Sequence, residues 1–310
     1  MTVPDPQVST ARRIAERLGP VGVWSAALAT VPAGDLRDAA RTVERLGYSA
    51  LWIGETPRLG REGLSHAGHL LAATDTLMVG TGIANIWLRE PATLAAAAGT
   101  LAEAYDDRLV LGIGASHAVA VSLAGKDYTK PLSAVRDYLA AMAEASYLGP
   151  APHHPVPVVV AALRSKMQEL ARDSADGMHS FFVSPVHTAA ARKRLGPNAL
   201  LIPEQAVVVD TDPDRARARA RQHVQSRLNL PNYVNHVRAL GYNDDDLADS
   251  GSDQLVDDLV AWGDSYTVVA RIAEHLAAGA DHVTIHPLET PTDPLGLTQL
   301  EQLADVLNLS

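Results

Sequence analysis

Two clusters of small and polar residues, each directly after an apolar run, have the composition of a ligand-binding wall. The first follows the apolar run at residues 108–113 and contains Gly112, Gly114, Ala115, Ser116 and His117. Small residues let the main chain approach a ligand closely, and serine and histidine add polar groups. The pattern therefore predicts one wall of a pocket, although an ordinary small-residue strand end stays open as an alternative.

The second cluster is the run of small residues that follows the apolar residues 77–82. It consists of Gly82, Ile83, Ala84 and Asn85. The pattern is compatible with a simple turn into the next helix, or with bulged backbone pressed against a planar ligand. The sequence alone does not separate these two interpretations.

A third candidate lies at residues 161–167, where an apolar run passes into a helical pattern. It comprises Arg164, Ser165, Lys166 and Met167. A helix N-terminus presents free N–H groups and the positive end of the helix dipole, which suits a phosphate. A capped helix with solvated basic side chains is the alternative.

Three familiar motifs are incomplete in this chain. The dinucleotide pattern GxGxxG lacks its third glycine, because His117 stands there. The nucleophile elbow GxSxG fails at Ala118, so a serine hydrolase using Ser116 is disfavoured. Histidine spacing matches no metal-binding motif, and no metal site is expected.

Composition limits the function classes further. The 310 residues are 47% hydrophobic and include no cysteine, which excludes disulfides, thiolate metal sites and a cysteine nucleophile. A net charge of −10 argues against a nucleic-acid partner, which needs a basic surface. No signal-type N-terminus or run of about 18 apolar residues is present, so we expect a cytoplasmic protein with no membrane partner.

Strand and helix patterns alternate along nearly the whole chain. The predicted strands are Val21–Ser25, Ala50–Ile53, Leu77–Gly82, Arg108–Ile113, Val158–Ala162, Gly177–Phe182, Gln205–Asp210 and Asp281–Ile285. A helical pattern follows each of them, and a further short helix is expected at Ser9–Leu18. Eight such units predict a (β/α)8 barrel, an α/β fold, with a doubly wound open sheet as the alternative.

We expect one domain spanning residues 1–310, with a helical insertion after the seventh strand at about residues 228–263. In a (β/α)8 barrel the chemistry lies at the carboxyl ends of the strands. Besides the three clusters above, those ends carry Trp24, Ser25, Glu55, Thr56, His286 and the residues at 180–184.

Five blocks in order resemble the luciferase-like, flavin- or deazaflavin-dependent oxidoreductases, and look most similar to the F420-dependent type. The blocks are LGYSALWIGE, LLAATDTLMVGTGIANIW, PATLAAAAGTLAEAYDDRLVLGIGASH, VVVAALRSKMQELARDSADG and VARIAEHLAAGADHVTIHPL. The resemblance covers roughly residues 21–287. It implies a (β/α)8 barrel with an insertion, often as a homodimer.

The resemblance also implies site residues. Gly82 and Ile83 match the place where members hold a non-prolyl cis peptide against the ring system, flanked by Ala84 and Asn85. The next wall is matched by Gly114, Ala115 and Ser116, and the phosphate site by Arg164, Ser165, Lys166 and Met167. Thr56 and Glu55 match the position at the end of the second strand that meets the ring or the substrate.

The implied reaction is hydride transfer between C5 of F420 and a small organic substrate. Glu55 or His117 would handle the proton, because each lies near a predicted strand end. Residues expected to cover the substrate are Trp24, His179, Asn232 and Tyr233.

One departure from the family pattern bears on the substrate. Sugar-phosphate dehydrogenases of this family carry histidine at the end of the second strand, whereas this chain has Glu55, so sugar-phosphate oxidation is disfavoured. The alternatives are an FMN-dependent monooxygenase and a cofactor-free binding protein on the same barrel.

Overall fold

The computed structural model describes residues 10–309 of the chain. Within that range ten strands, numbered β1 to β10 in chain order, span Val21–Ser25, Ala50–Ile53, Met78–Thr81, Ala84–Asn85, Leu109–Gly114, Val158–Ala161, Gly177–Ser180, Leu200–Val209, Val260–Gly263 and Val283–Pro287.

Fourteen α-helices in the same range surround these strands. Numbered α1 to α14, they span Thr10–Leu18, Ala33–Arg45, Gly63–Leu71, Pro91–Ala104, Ala118–Leu123, Pro131–Ala143, Ser165–Ser174, Pro185–Leu195, Pro213–Leu228, Pro231–Ala239, Asp244–Leu247, Asp253–Leu259, Ser265–Ala277 and Leu297–Leu307.

Eight strands close into a parallel barrel in the order β1, β2, β3, β5, β6, β7, β8, β10. Closure is made by β10, which pairs with β1 at Val21–Val283 and with β8 at Glu204–Thr284. The predicted (β/α)8 barrel is therefore confirmed, and the open-sheet alternative is excluded. All strands run the same way, so their carboxyl ends meet at one mouth.

The seventh barrel strand, β8, is longer than predicted. It begins at Leu200, whereas the sequence pattern suggested Gln205. Pro203 and Glu204 interrupt the apolar run and hide its first half, yet both lie inside the strand with neighbours on β7 and β10. Glu204 is thereby placed inside the barrel, among residues that the sequence did not connect.

The segment at residues 228–263, expected to be helical, contains α10, α11 and α12 but ends differently. Its last residues form the strand β9, which pairs with the carboxyl half of β8 at Ala206–Val260. The run VAWG is apolar and lies against the edge of β8 that becomes free where the pairing with β7 stops at Pro203, which explains the strand. Strand β4, also unpredicted, pairs with the end of β5.

Local signals placed several helix ends correctly. Helix α2 stops before Gly47, whose φ of +83° is easily adopted only by glycine. Asp264 caps α13 by accepting a hydrogen bond from the Thr267 amide at 2.8 Å. Helix α1 matches the predicted helix, except that Ser9 lies outside the described residues.

The amino-terminal end of the barrel is closed by α1. Its buried residues Ile14 and Leu18 share a hydrophobic cluster with Ala50, Met78 and Leu200, the first residues of β2, β3 and β8. Burial of this apolar surface leaves the opposite, carboxyl end as the place for a ligand. Among residues 10–309, the longest apolar helical stretches fall short of what a bilayer crossing requires.

Candidate active site

The two clusters of small residues lie side by side at the barrel mouth. Asn85 of β4 pairs in register with Gly114 of β5, and a Cβ atom built on Gly114 would lie 3.1 Å from Ile83 Cγ1. The peptide between Gly82 and Ile83 is cis. Gly82, Ile83 and Ser116 are only half-buried, so part of this wall is accessible from outside.

Side chains inside the barrel hold this wall in place. Trp24 Nε1 donates to the Gly82 carbonyl at 3.2 Å, and a Cβ on Gly82 would come within 2.7 Å of the same nitrogen. Thr81 Oγ1 donates to the Gly112 carbonyl at 2.7 Å and accepts from the Gly112 amide at 2.9 Å. The wall is therefore packed closely from within and leaves only its outer face for a ligand.

His179, predicted to meet the substrate, lies beneath this wall. It is 3% exposed, its Nδ1 is 2.8 Å from the Ile202 carbonyl, and its ring stacks on Trp52 at 5.2 Å. Burial lowers the pKa of His179, so the ring is neutral at neutral pH. Its Nε2 has no hydrogen-bond partner among the described residues.

Glu55 is held by four hydrogen bonds, which favours a positioning role over proton transfer. Its carboxylate accepts from the Asn85 and Gly63 amides, both at 2.9 Å, and forms a two-pronged ion pair with Arg89. The pair is buried, with 3% of the Glu55 side chain and 11% of the Arg89 side chain exposed. The carboxylate thus ties β4 and the start of α3 together behind the wall. The exposed Thr56 follows it.

His117, Asn232 and Tyr233 are brought together from distant parts of the chain. His117 Nδ1 lies 2.8 Å from Asn232 Oδ1, and its ring centroid lies 5.2 Å from that of Tyr233. Burial and the positive charge of Arg227 lower the pKa of His117, whereas the Asn232 hydrogen bond opposes this shift. A half-buried neutral imidazole at the mouth can accept a proton, as predicted for His117.

A second polar group faces the wall from across the barrel. His286 of β10 has its Nδ1 2.8 Å from Glu204 Oε1, and Glu204 Oε2 accepts from the Phe182 amide at 3.0 Å. The His286 ring contacts Trp24 at 4.6 Å and His223 at 5.3 Å between centroids. This arrangement is a buried carboxylate–imidazole pair, of the kind that orients one ring nitrogen toward a ligand.

Two histidines that belong to no metal-binding motif in the sequence come together with a carboxylate in the fold. One donor atom each from Glu204, His223 and His286 lies within 4.8 Å of the others. Burial, followed by electrostatic effects of Arg227, His286 and Arg219, lowers the pKa of His223. The positive charges of Arg227 and Arg219 oppose a metal cation at this position and favour an anion.

The predicted phosphate site lies at the start of α7. Arg164, Ser165 and Lys166 are exposed there, Met167 is half-buried, and no side chain caps the helix N-terminus. Helix α7 follows β6, whose Ala161 would lie 2.8 Å from a Cβ on Gly114. The free N–H groups therefore lie on the side of the mouth adjacent to the main-chain wall.

Sequence reasoning missed Arg89, Glu204, His223 and Arg227. Glu204 was missed because the predicted strand began at Gln205, one residue after it, whereas β8 begins at Leu200. Arg89 lies in the loop before α4, and His223 and Arg227 lie on α9. In such segments the spacing of residues does not show which side chains point toward the mouth. The ion pair between Glu55 and Arg89 has no local sequence signal, because 34 positions separate the two residues.

Solved structures with this fold include redox enzymes of two cofactor types. An F420-dependent secondary alcohol dehydrogenase in complex with an F420–acetone adduct has a TM-score of 0.74 and 16% identity, covering 94% of this chain and 98% of that one. The coenzyme F420-dependent tetrahydromethanopterin reductase from Methanopyrus kandleri has a TM-score of 0.70 and 17% identity, covering 94% and 100%.

A third structure of the same fold contains FMN. The oxygenating constituent of 3,6-diketocamphane monooxygenase from Pseudomonas putida has a TM-score of 0.66 and 18% identity, covering 92% of this chain and 96% of that one. The family model for luciferase-like monooxygenase matches residues 17–282. That match covers well over half of the chain and seven of the eight barrel strands, so the chain belongs to the luciferase-like monooxygenase family and is an oxidoreductase of that family.

Proposed function

We propose that this protein transfers a hydride between C5 of F420 and a small organic substrate. The observation that carries the proposal is the wall formed by Gly82, Ile83 and Gly114, because bare main chain there suits one face of a flat ring. Preference for F420 over FMN rests on the sequence resemblance, since the fold is common to users of both cofactors.

The residues at the mouth fit such a cofactor in three respects. The wall is half-exposed on its outer face and packed from within by Trp24. The start of α7 offers uncapped N–H groups with Arg164 and Lys166 beside them, as a phosphate requires. Asn85, in the wall itself, keeps a buried Nδ2 with no partner among residues 10–309, and a bound ligand could satisfy such an atom.

When bound, the deazaflavin supplies the redox chemistry by donating or accepting the hydride at C5. The chain contributes positioning and proton handling. Ile83 and Gly114 support one face of the ring, while Arg164, Ser165 and Lys166 bind the phosphate. His117 or the Glu204–His286 pair holds or releases the substrate proton across the mouth. Asn232 and Tyr233 exclude water above His117.

The direct test is titration of the purified protein with F420 and with FMN, followed by absorbance and fluorescence. We expect F420 to bind at micromolar concentrations and FMN to bind much more weakly. Binding of FMN alone would replace the proposal with an FMN-dependent monooxygenase. Failure to bind either would indicate a cofactor-free barrel. We further propose a cytoplasmic homodimer, to be checked by light scattering during size-exclusion chromatography.

A charge-reversal pair tests the phosphate site. Arg164→Glu should weaken F420 binding by about tenfold or more, because it places a carboxylate beside the phosphate. The matched control is Lys193→Glu, since Lys193 is an exposed residue in the last turn of α8, at the other end of the barrel. Equal F420 affinity in both variants would contradict the assignment of the phosphate to α7.

A further inference from the structure

Arg227, at the end of α9, differs from the other arginines of its helix. Arg215, Arg217, Arg219 and Arg221 each form an ion pair with an aspartate or glutamate. For Arg227, no carboxylate oxygen within the described range 10–309 lies within 4.0 Å of the guanidinium. Its hydrogen-bond partner is the Ser226 hydroxyl, and it lies 5.2 Å above the ring of Phe181. A half-buried cation is thus left without a counter-ion.

This guanidinium lies over the barrel mouth. Its charge lowers the pKa of His117, at the end of β5, and also that of His223, beside β8 and β10, in each case after the larger effect of burial. The guanidinium lies 5.2 Å from the ring centroid of Phe181, which in turn lies 6.4 Å from Tyr233 and 5.8 Å from His286, so the cation lies beside aromatic residues of the mouth. The neighbouring carboxylate, Glu204, is already engaged by His286 and the Phe182 amide.

The groups around Arg227 suit an organic anion. Phe181 supplies an apolar ring face, and its centroid lies 5.8 Å from His286 and 6.4 Å from His223. His223 is 9% exposed, and its Nε2 has no partner among the described residues. A partly desolvated cation gains most from an anion that also offers an apolar body to the ring beside it.

An open groove borders the mouth on the same end of the barrel. Its volume is about 510 Å³, and it lies after the ends of β1 and β10, lined by Ala26, Ala27, Arg219, Glu289, Thr290 and Pro291. This volume is within the range of small-molecule sites.

Building on the proposed function, we propose that the substrate carries a carboxylate or similar anionic group and that Arg227 binds it. The remainder of the molecule packs on Phe181, and the group that is oxidised or reduced lies toward His286. Arg227 is then a specificity-determining residue, because neutral molecules of the same shape leave its charge unpaired.

The test measures binding to the protein without cofactor, so its result does not depend on F420. Isothermal titration is carried out with three carboxylates of increasing size, namely acetate, benzoate and 2-naphthoate, and with their neutral amides. We expect at least one carboxylate to bind about tenfold or more tightly than its amide. Arg227→Gln should remove this difference, and Arg227→Lys should restore part of it.

The control is Arg238→Gln, since Arg238 is an exposed arginine on α10 that pairs with Asp244 outside the mouth. It should bind the carboxylates as the wild-type protein does, and thermal melts should show that all variants fold. The inference is overturned if no carboxylate is preferred over its amide, or if Arg227→Gln retains the preference. Failure of F420 to bind would contradict the proposed function but leave this result unaffected.

Discussion

At the scale of single residues, the ion pair between Glu55 and Arg89 holds the main-chain wall. Arg89→Met leaves the buried Glu55 carboxylate without its cation, and we expect a loss of about 3 kcal/mol in the free energy of unfolding. Urea denaturation measures this loss. The exposed pair between Arg172 and Asp173 serves as the control, so Arg172→Met should change little.

The double variant Glu55→Gln with Arg89→Met shows how much of the lost stability comes from the unpaired charge and how much from lost packing. Removing both charges should recover part of the stability lost in Arg89→Met, because no unpaired carboxylate remains. Full additivity of the losses in the two single variants would show that the two charges do not stabilise each other.

A second residue-scale prediction concerns pH. Burial, with smaller contributions from the charges of Arg61 and His69, lowers the pKa of His66 to about 4, and neither ring nitrogen has a partner among residues 10–309. In the unfolded chain His66 therefore becomes protonated near pH 6.5, whereas in the folded protein it becomes protonated only near pH 4. The contribution of His66 to stability is complete above pH 6.5 and is lost as the pH falls toward 4.

His66→Met should remove this pH dependence. Between pH 7 and pH 5 the variant should lose about 1–2 kcal/mol less unfolding free energy than the wild-type protein. Denaturant titrations at both pH values measure the difference. The control is His69→Met, since His69 is exposed on the same helix. Between pH 7 and pH 5 this variant should lose as much unfolding free energy as the wild-type protein. An unchanged slope in His66→Met would show that His66 does not carry this effect.

At the scale of elements, the amino-terminal helix α1 closes the bottom of the barrel and leaves the mouth untouched. Leu18 is fully buried there, so Leu18→Ala should cost about 2–5 kcal/mol of unfolding free energy through lost burial and a cavity. The fully exposed Leu148 provides the comparison, and Leu148→Ala should be neutral.

The same variant tests whether the closed end of the barrel is independent of the ligand-binding mouth. Because α1 packs against the first residues of β2, β3 and β8, Leu18→Ala should leave F420 affinity unchanged at temperatures where the protein is folded. A large loss of affinity in the folded variant would mean that the two ends are coupled.

At the scale of the whole molecule, a cofactor that binds only the folded state raises its stability. At a concentration of F420 about 100-fold above the dissociation constant, the free energy of unfolding should increase by about 2.7 kcal/mol. Thermal melts with and without F420 measure this, with FMN at the same concentration as the comparison. Equal stabilisation by both would contradict the preference for F420.

Local sequence patterns determined most of the fold. Period and composition indicated the eight barrel strands, and capping residues such as Gly47 and Asp264 marked helix ends, because these features depend on near neighbours. They also placed Gly82, Ile83 and Gly114 at strand ends, where the fold requires a ligand site. The position of β8 was the main error, since Pro203 and Glu204 mask its apolar pattern.

Only the tertiary structure decided which side chains meet. It joined Glu55 to Arg89, His286 to Glu204, and His117 to Asn232, pairs separated by 34, 82 and 115 positions. Within residues 10–309 it also left Arg227 without a counter-ion. Closing eight strands into a ring brings distant strand ends into contact, and the directions of the side chains there depend on packing across the ring, which spacing along one chain does not record.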